Sequence, residues 1–166
     1  MDKIILTTKL SLEDYIKINY HLLYRKWAVR FMTGIGFFMV LSLLFTFDSY
    51  IEFPWLQLLL GLFFIIGQPI LVYIYARKNY NTNKRISESI SYTFDKDTIQ
   101  ITGESFDSKF TWDKIYRVTE SKNWILIWQN PQVANVVPKR DFQEEELQAF
   151  KNMVSLHSKV KNKLRK

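Results

Sequence analysis

Few side chains in this sequence have the types and spacing that catalysis or metal binding requires. The two histidines, His21 and His157, are far apart, and each lies on a predicted helix without a second histidine at ligand spacing. Zinc sites use three or four clustered nitrogen, sulfur or carboxylate ligands, and the chain has no cysteine. The lack of cysteine also excludes disulfides. We therefore predict no metal site and no cofactor.

The sequence also lacks the patterns of nucleophilic and phosphate-binding enzymes. No serine stands in a strand-turn-helix elbow, and neither histidine is placed to act as its base. Gly34 and Gly36 lie inside an apolar stretch. Small residues there favour close helix packing over a phosphate-binding loop. We predict that the protein is not an enzyme.

A basic pair, Lys139 and Arg140, precedes a predicted helix start and is a candidate ligand contact. A phosphate group could meet two cations beside a helix N-terminus. Asp141 and the glutamates at 144–146 already place negative charge there and would repel a second anion. Two interpretations stay open: a ligand contact, or surface cations paired with those glutamates.

The C-terminal run HSKVKNKLRK is a second candidate surface because it holds five cations. Each well-placed cation contributes on the order of 1 kcal/mol beside an anionic membrane, and screening limits the reach to about 8 to 10 Å. The alternative is a solvated tail that complements the helix dipole. The predicted partner or lipid contacts are Lys139, Arg140, Lys159, Lys161, Lys163, Arg165 and Lys166.

Two uncharged stretches, residues 31–47 and 55–76, occupy the middle of the chain. Each is long enough to cross the hydrocarbon core of a bilayer. Each central Leu, Ile, Phe or Val contributes roughly −0.3 to −0.6 kcal/mol to insertion, so both stretches favour the membrane. The alternative is a pair of core helices in a soluble protein. The stretches contain no ionisable side chain, which argues against a transporter working alone.

The charges around these stretches predict an orientation. The connecting residues 48–54 contain two acidic groups and no basic one. Basic residues lie on the other side of both stretches, so the positive-inside rule predicts a multi-pass protein of the inner cell membrane with both termini in the cytoplasm. No secretory signal is visible. The net charge of +7 then faces the anionic leaflet, and we do not infer nucleic-acid binding from it. The flanking cations are Arg25, Lys26, Arg30, Arg77, Lys78, Lys84 and Arg85.

The second stretch contains a helix-disrupting group, Gly67-Gln68-Pro69. Proline removes one backbone hydrogen bond and predicts a kink. The Gln68 side chain could satisfy the freed carbonyl or bridge to Ser42 or Thr46 on the first stretch. We favour this packing role over a substrate contact.

The elements around these features alternate between helical and strand patterns. A short strand at Lys3–Leu10 precedes a helix with a capping box at Ser11 and Asp14. From residue 86, six short strands follow, and then a helix capped by Asp141 that carries apolar residues as far as Leu164. Strands with one apolar face need a covering element, so we predict an α+β fold in which a strongly bent sheet or small barrel is closed by this helix.

Several of these segments resemble one family. The stretches YTFDKDTIQI, FTWDKIYRVTES, WILIWQ and VVPKRDFQEEEL, together with the two apolar stretches, are similar to the bacterial YcxB-like membrane proteins over essentially the whole chain. The Trp112-Asp113 pair and the Pro-Lys-Arg before an acidic helix start carry the resemblance best. It implies a C-terminal domain similar to pleckstrin-homology-like folds, and it implies no biochemical activity.

The resulting domain prediction has four parts: a cytoplasmic strand and helix at 1–30, a transmembrane hairpin at 31–76, a connector at 77–85, and a cytoplasmic domain at 86–166. We predict a non-enzymatic membrane protein that displays a binding module for a protein partner, for itself or for anionic lipid headgroups. The alternative is an accessory subunit of a larger transporter or channel.

Overall fold

The computed structural model describes residues 3–46, 53–157 and 160–164. The predicted acidic connection at 48–54 falls mostly on residues 47–52, which lie outside the described residues. The chain divides into two compact units, one formed by residues 1–10 with 87–166 and the other by residues 11–86. The strand and helix that the sequence grouped as residues 1–30 therefore belong to different units.

The described part of the helical unit contains five α-helices and one π-helical turn. The turn, Phe63–Gly67, joins α3 to α4 without a break. The helices are α1 (Leu12–Tyr24), α2 (Trp27–Thr46), α3 (Trp55–Leu62), α4 (Gln68–Thr82) and α5 (Lys84–Ser87).

Helix α1 begins at the predicted capping box. The Asp14 backbone N–H donates to Ser11 Oγ at 3.1 Å, and the Ser11 backbone N–H donates to Asp14 Oδ2 at 3.1 Å. Two donors that would otherwise be unsatisfied at the helix start are thus paired, which confirms the prediction. The helix ends at Tyr24, and Arg25 and Lys26 form a short turn before α2.

Two apolar segments are long enough and apolar enough to cross a membrane, Trp27–Phe45 and Trp55–Thr82. The first begins four residues before the predicted stretch at 31. The second continues past residue 76, so the predicted polar connector at 77–85 is largely helical. Helix α4 ends at Thr82, and the Asn83 backbone N–H still donates to Asn79 O.

The other unit, which we call the strand domain, contains eight strands in two four-stranded sheets among the residues described. The first sheet has the order β1-β2-β3-β4, and the second has the order β7-β6-β5-β8. All pairs are antiparallel except β5 with β8. The strands are β1 (Ile4–Thr8), β2 (Ile90–Phe94), β3 (Thr98–Thr102), β4 (Asp107–Thr111), β5 (Arg117–Glu120), β6 (Trp124–Trp128), β7 (Ala134–Pro138) and β8 (Lys161–Lys163).

All six strands predicted after residue 86 are confirmed. The predicted bent sheet or small barrel is corrected to two separate sheets, because no pairing joins them among the described strands. A short 3₁₀ turn at Trp112–Lys114 lies between β4 and β5. Strand β1 pairs with β2 along its whole length, from Ile4 opposite Phe94 to Thr8 opposite Ile90. The helical unit is therefore an insertion in the connection between two neighbouring strands.

Helix α6 (Glu144–Leu156) covers the core of this unit. Phe150, Met153 and Val154 are buried, and the Phe150 ring meets the Phe94 ring edge to face at 4.7 Å between centroids. Fourteen more buried apolar side chains share this core, and Trp112 is among its fully buried members.

Both predicted ends of this helix are corrected. It does not begin after Asp141, because residues 139–141 form a 3₁₀ turn and Gln143 is the N-cap, whose backbone N–H donates to Glu146 Oε2 at 3.0 Å. It does not continue to Leu164, because it ends at Leu156. There the His157 ring stacks on Trp112 at 4.9 Å between centroids.

Candidate functional site

The predicted basic tail is a strand at the edge of the second sheet. Strand β8 lies parallel to β5, with Lys161 opposite Arg117 and Lys163 opposite Thr119. Val160 is buried and Leu164 packs against the core, so both lysines point to the opposite face. These residues are therefore an edge strand, and not the continuation of the C-terminal helix that the sequence predicted.

The lysines of β8 are exposed and available to a ligand or surface. They are the two predicted contact residues of the C-terminal run that the structure describes. Lys159, Arg165 and Lys166 lie outside the described residues. The edge position also means that the outer hydrogen-bonding edge of β8 has no neighbouring strand among the described strands.

The two residues of the basic pair that follows β7, Lys139 and Arg140, lie in different environments. Lys139 Nζ lies 2.5 Å from Glu120 Oε1, and Lys151 Nζ on α6 lies 3.0 Å from Glu120 Oε2. The Glu120 side chain is completely buried. Lys139 is thus paired with a carboxylate from β5, and not with the glutamates at the start of α6 as the sequence suggested.

Arg140 faces outward from the same turn. Its Nε lies 3.6 Å from Asp141 Oδ1, and its side chain is more than half exposed. The structure therefore does not bring Lys139 and Arg140 together as one anion site. It places Lys139 in a buried ion cluster and Arg140 on the surface.

Sequence reasoning missed Arg117, which lies beside β8. Its guanidinium carbon is 4.5 Å from the Trp128 ring centroid and 5.4 Å from that of Tyr116. Such stacking of a cation on aromatic faces is favourable. The Trp128 indole N–H in turn donates to Thr119 Oγ1 at 3.0 Å. The signal that could have found it is the single cation of β5, at a position directly opposite Trp128 in β6.

In the helical unit, α2 and α3 approach closely at Gly36 and Gly61. A methyl group on Gly36 would lie 2.9 Å from the Gly61 carbonyl oxygen and 2.7 Å from Phe64 Cβ. A methyl group on Gly61 would lie 3.1 Å from the Gly36 carbonyl oxygen. The predicted role of small residues in close packing is confirmed for Gly36, whereas Gly34 has open space around it.

The polar bridge between the two apolar segments is made by Gln57. Its Nε2 donates to Ser42 Oγ at 2.7 Å and to the Met39 carbonyl at 2.9 Å. The predicted bridge from Gln68 to Ser42 is therefore wrong. The Thr46 side chain, the other proposed partner, lies outside the described side chains.

The group Gly67-Gln68-Pro69 lies where the π-helical turn ends. The Gln68 backbone N–H donates to Phe63 O, five residues back, which widens the helix by one residue before the proline. The Pro69 carbonyl accepts a hydrogen bond from the Tyr20 hydroxyl on α1 at 2.8 Å. The irregularity at Gly67-Gln68-Pro69, where the sequence predicted a kink, is therefore a π-helical turn in an otherwise continuous helix.

Neither histidine is placed for metal binding among the described residues, where no cluster of three histidine or carboxylate side chains could hold a metal ion. His157 Nδ1 lies 2.8 Å from the Met153 carbonyl. One ionisable group in the core has a displaced pKa: burial raises the pKa of Tyr92 well above its ordinary value, because the phenolate would lose its hydration.

Comparisons with known proteins match part of the chain. Residues 94–154 match the family described as YcxB-like protein, a range that runs from β2 to α6. The chain is 27% identical over 107 residues to the uncharacterized protein YcxB of Bacillus subtilis strain 168, and the match covers 64% of this chain and 58% of that relative. The chain thus spans somewhat more than half of the relative's length. No solved structure matches the chain. The predicted resemblance to YcxB-like proteins is thus confirmed for residues 94–154, which match that family.

Proposed function

We propose that this protein is a two-span membrane protein that holds a pleckstrin-homology-like binding domain at the cytoplasmic face, without catalytic activity, and that this domain contacts the anionic membrane surface through β8. The observation that carries the proposal is the pairing of β1 with β2 across the inserted helices. Strands that pair must lie on the same side of a membrane. The intervening segment must then cross it an even number of times, as two spans do.

The exposure of the apolar helices supports membrane residence. A soluble protein would bury such helices in its core, yet only 11% of the first segment and 6% of the second are buried. Leu44 is 75% exposed, Phe45 86% and Leu56 72%. Apolar side chains presented outward along two adjacent helices match the hydrocarbon of a bilayer.

The charge distribution supports the orientation and the target. Lys161 and Lys163 are exposed and anchored on a sheet edge, and each would contribute on the order of 1 kcal/mol near an anionic surface. The polypeptide joins the strand-containing unit to the helices at both ends of the insertion. The effective concentration of this unit at the membrane is therefore high, and weak contacts are sufficient.

Topology is tested with single cysteines, because the chain has none of its own. We expect a membrane-impermeant maleimide to label Ser49→Cys from outside intact cells and to label Ser158→Cys only after lysis. Labelling of Ser49→Cys only from inside would contradict the orientation.

The surface contact is tested by lysine acetylation of the full chain in nanodiscs. We expect Lys161 and Lys163 to be protected in discs of anionic lipid and reactive in discs of neutral lipid. Lys109, on the exposed face of the first sheet, is the control and should react equally in both. Equal reactivity of all three lysines in both discs would contradict contact through β8.

A further inference from the structure

A groove of about 360 Å³ lies between α1, α2 and α4 in the helical unit. Its volume falls in the range of sites for small molecules. Its walls are apolar except for one side-chain amide. The lining residues are Leu23, Ala28, Val29, Met32, Gln68, Leu71 and Val72.

The polar group in this groove is the amide of Gln68. Among the residues that the structure describes, this amide has no side-chain hydrogen-bond partner, and Ser42, the partner expected from the sequence, accepts from Gln57 instead. A primary amide in hydrocarbon is costly unless a partner satisfies it. Gln68 also directly follows the π-helical turn, a type of irregularity that occurs frequently at functional sites.

Positive charge lies at one end of the groove. Two of its wall residues, Leu23 and Ala28, flank the corner between α1 and α2, where Arg25 and Lys26 are exposed. Val29 lies three residues and Met32 six residues beyond Lys26, which is about 4.5 Å and about 9 Å along a helix. The groove therefore changes from cationic to apolar along its length, with the amide beside the apolar part.

We propose that this groove binds one anionic phospholipid of the cytoplasmic leaflet. The phosphate lies beside Arg25 and Lys26, one acyl chain lies along the groove, and the Gln68 amide N–H₂ donates a hydrogen bond to an ester carbonyl. The positive charge of Arg25 and Lys26 complements the phosphate. The Gln68 amide complements the ester carbonyl at the start of the acyl chain.

This inference rests on the proposed membrane residence and is tested on the full chain in detergent-lipid micelles. The probe is phosphatidylglycerol with a photoactivatable diazirine in its acyl chain, followed by mass spectrometry of the labelled peptides. We expect labelling concentrated at residues 28–32 and 68–72. Gln68→Leu should reduce it about fivefold, which corresponds to a hydrogen bond of about 1 kcal/mol. Phosphatidylcholine with the same diazirine should label more weakly.

Two further variants separate the groove from the general lipid contact of the helices. Ala28→Trp places bulk inside the groove and should reduce labelling there, whereas Leu44→Trp places the same bulk on an outward face of α2 and should not. Labelling spread evenly along both segments and insensitive to Gln68→Leu would overturn the proposal, as would equal labelling by the two lipids. Crosslinks between two protein chains at these residues would assign the groove to a second copy and would also overturn it.

The experiment distinguishes the two proposals. If the chain fractionates with membranes and the groove is not labelled, the lipid site is wrong and the proposed membrane protein stands. If the chain is recovered intact from an aqueous extract without detergent, both are wrong.

Discussion

Thr8 and Ile90 lie directly opposite each other in neighbouring antiparallel strands, although all five helices of the helical unit lie between them in the chain. Four more pairs continue this ladder as far as Ile4 and Phe94. The first strand is therefore an integral part of a domain whose other strands begin after the helices. Its contribution to that domain can be measured directly.

We expect the strand domain, residues 1–10 with 87–166, to fold without the helices when Ser11–Ile86 is replaced by a short glycine-serine linker. We call this product the linker-closed domain. The pairing of Thr8 with Ile90 brings the two ends close together, so a short connection closes the gap without strain. The product should be soluble and should unfold cooperatively on heating, as followed by circular dichroism.

The matched control is residues 87–166 alone. This fragment lacks Ile4 and Leu6, which are buried in the core, and burial of each such side chain contributes about 1.5 to 3 kcal/mol. We expect it to be less stable by several kcal/mol or to aggregate. If the linker-closed chain behaves no better than this fragment, the inserted arrangement is wrong.

The Gly36→Ala substitution should weaken the packing of α2 against α3. A methyl group there meets backbone and Cβ atoms at less than 3 Å, so the helices must separate, at a cost of about 1 to 3 kcal/mol. The measurement is unfolding of the full chain in mixed micelles with increasing dodecyl sulfate. Gly34→Ala, which adds the same methyl group in open space, should leave the midpoint unchanged, and equal effects of the two substitutions would contradict the crossing at Gly36.

The Glu120→Gln substitution should destabilise the strand domain by about 3 kcal/mol, because it leaves the lysine charges at 139 and 151 without their buried counter-ion. Urea unfolding of the linker-closed domain measures it. Glu144→Gln, at the exposed start of α6, should change stability by less than about 0.5 kcal/mol.

The combined change of Glu120→Gln with Lys139→Met should recover part of the lost stability, because one of the two uncompensated charges is removed. Additive losses in this double variant would indicate that Lys139 and Glu120 do not interact.

The free energy of unfolding should fall above about pH 10. Burial raises the pKa of Tyr92 in the folded state, whereas an exposed tyrosine ionises near pH 10. Above that pH the unfolded chain releases this proton and the folded chain keeps it, so stability present at neutral pH is lost at about 1.4 kcal/mol per pH unit. Below pH 10 both states hold the proton and the contribution is complete.

Tyr92→Phe removes this proton and should weaken the alkaline loss. The measurement is urea unfolding of the linker-closed domain at pH 8 and pH 11, with and without the substitution. An unchanged difference between the two pH values in Tyr92→Phe would show that another group causes the loss.

Local patterns in the sequence determined most of the elements. The pattern of residues 89–138 predicted all six strands. A half-buried strand imposes a period of two, and the fully buried β6 is a short apolar run between turn residues. The sequence also predicted the Ser11 capping box, because capping hydrogen bonds act between residues close in the chain. It predicted the two long apolar helices, because a bilayer imposes a minimum apolar length.

Contacts between distant residues were decided by the tertiary structure alone. Nothing local in the sequence tells that β1 pairs with β2 across an insertion, that Gln57 and not Gln68 reaches Ser42, or that Lys139 turns inward to Glu120. The C-terminal lysines likewise continue a helical pattern in the sequence. In the structure, however, Val160 packs in the core and β8 pairs with β5 at the edge of the second sheet. The physical reason is that periodicity reports which face of a segment is apolar, whereas the neighbour that covers that face, and the counter-ion or amide partner of each polar group, depend on how the whole chain packs.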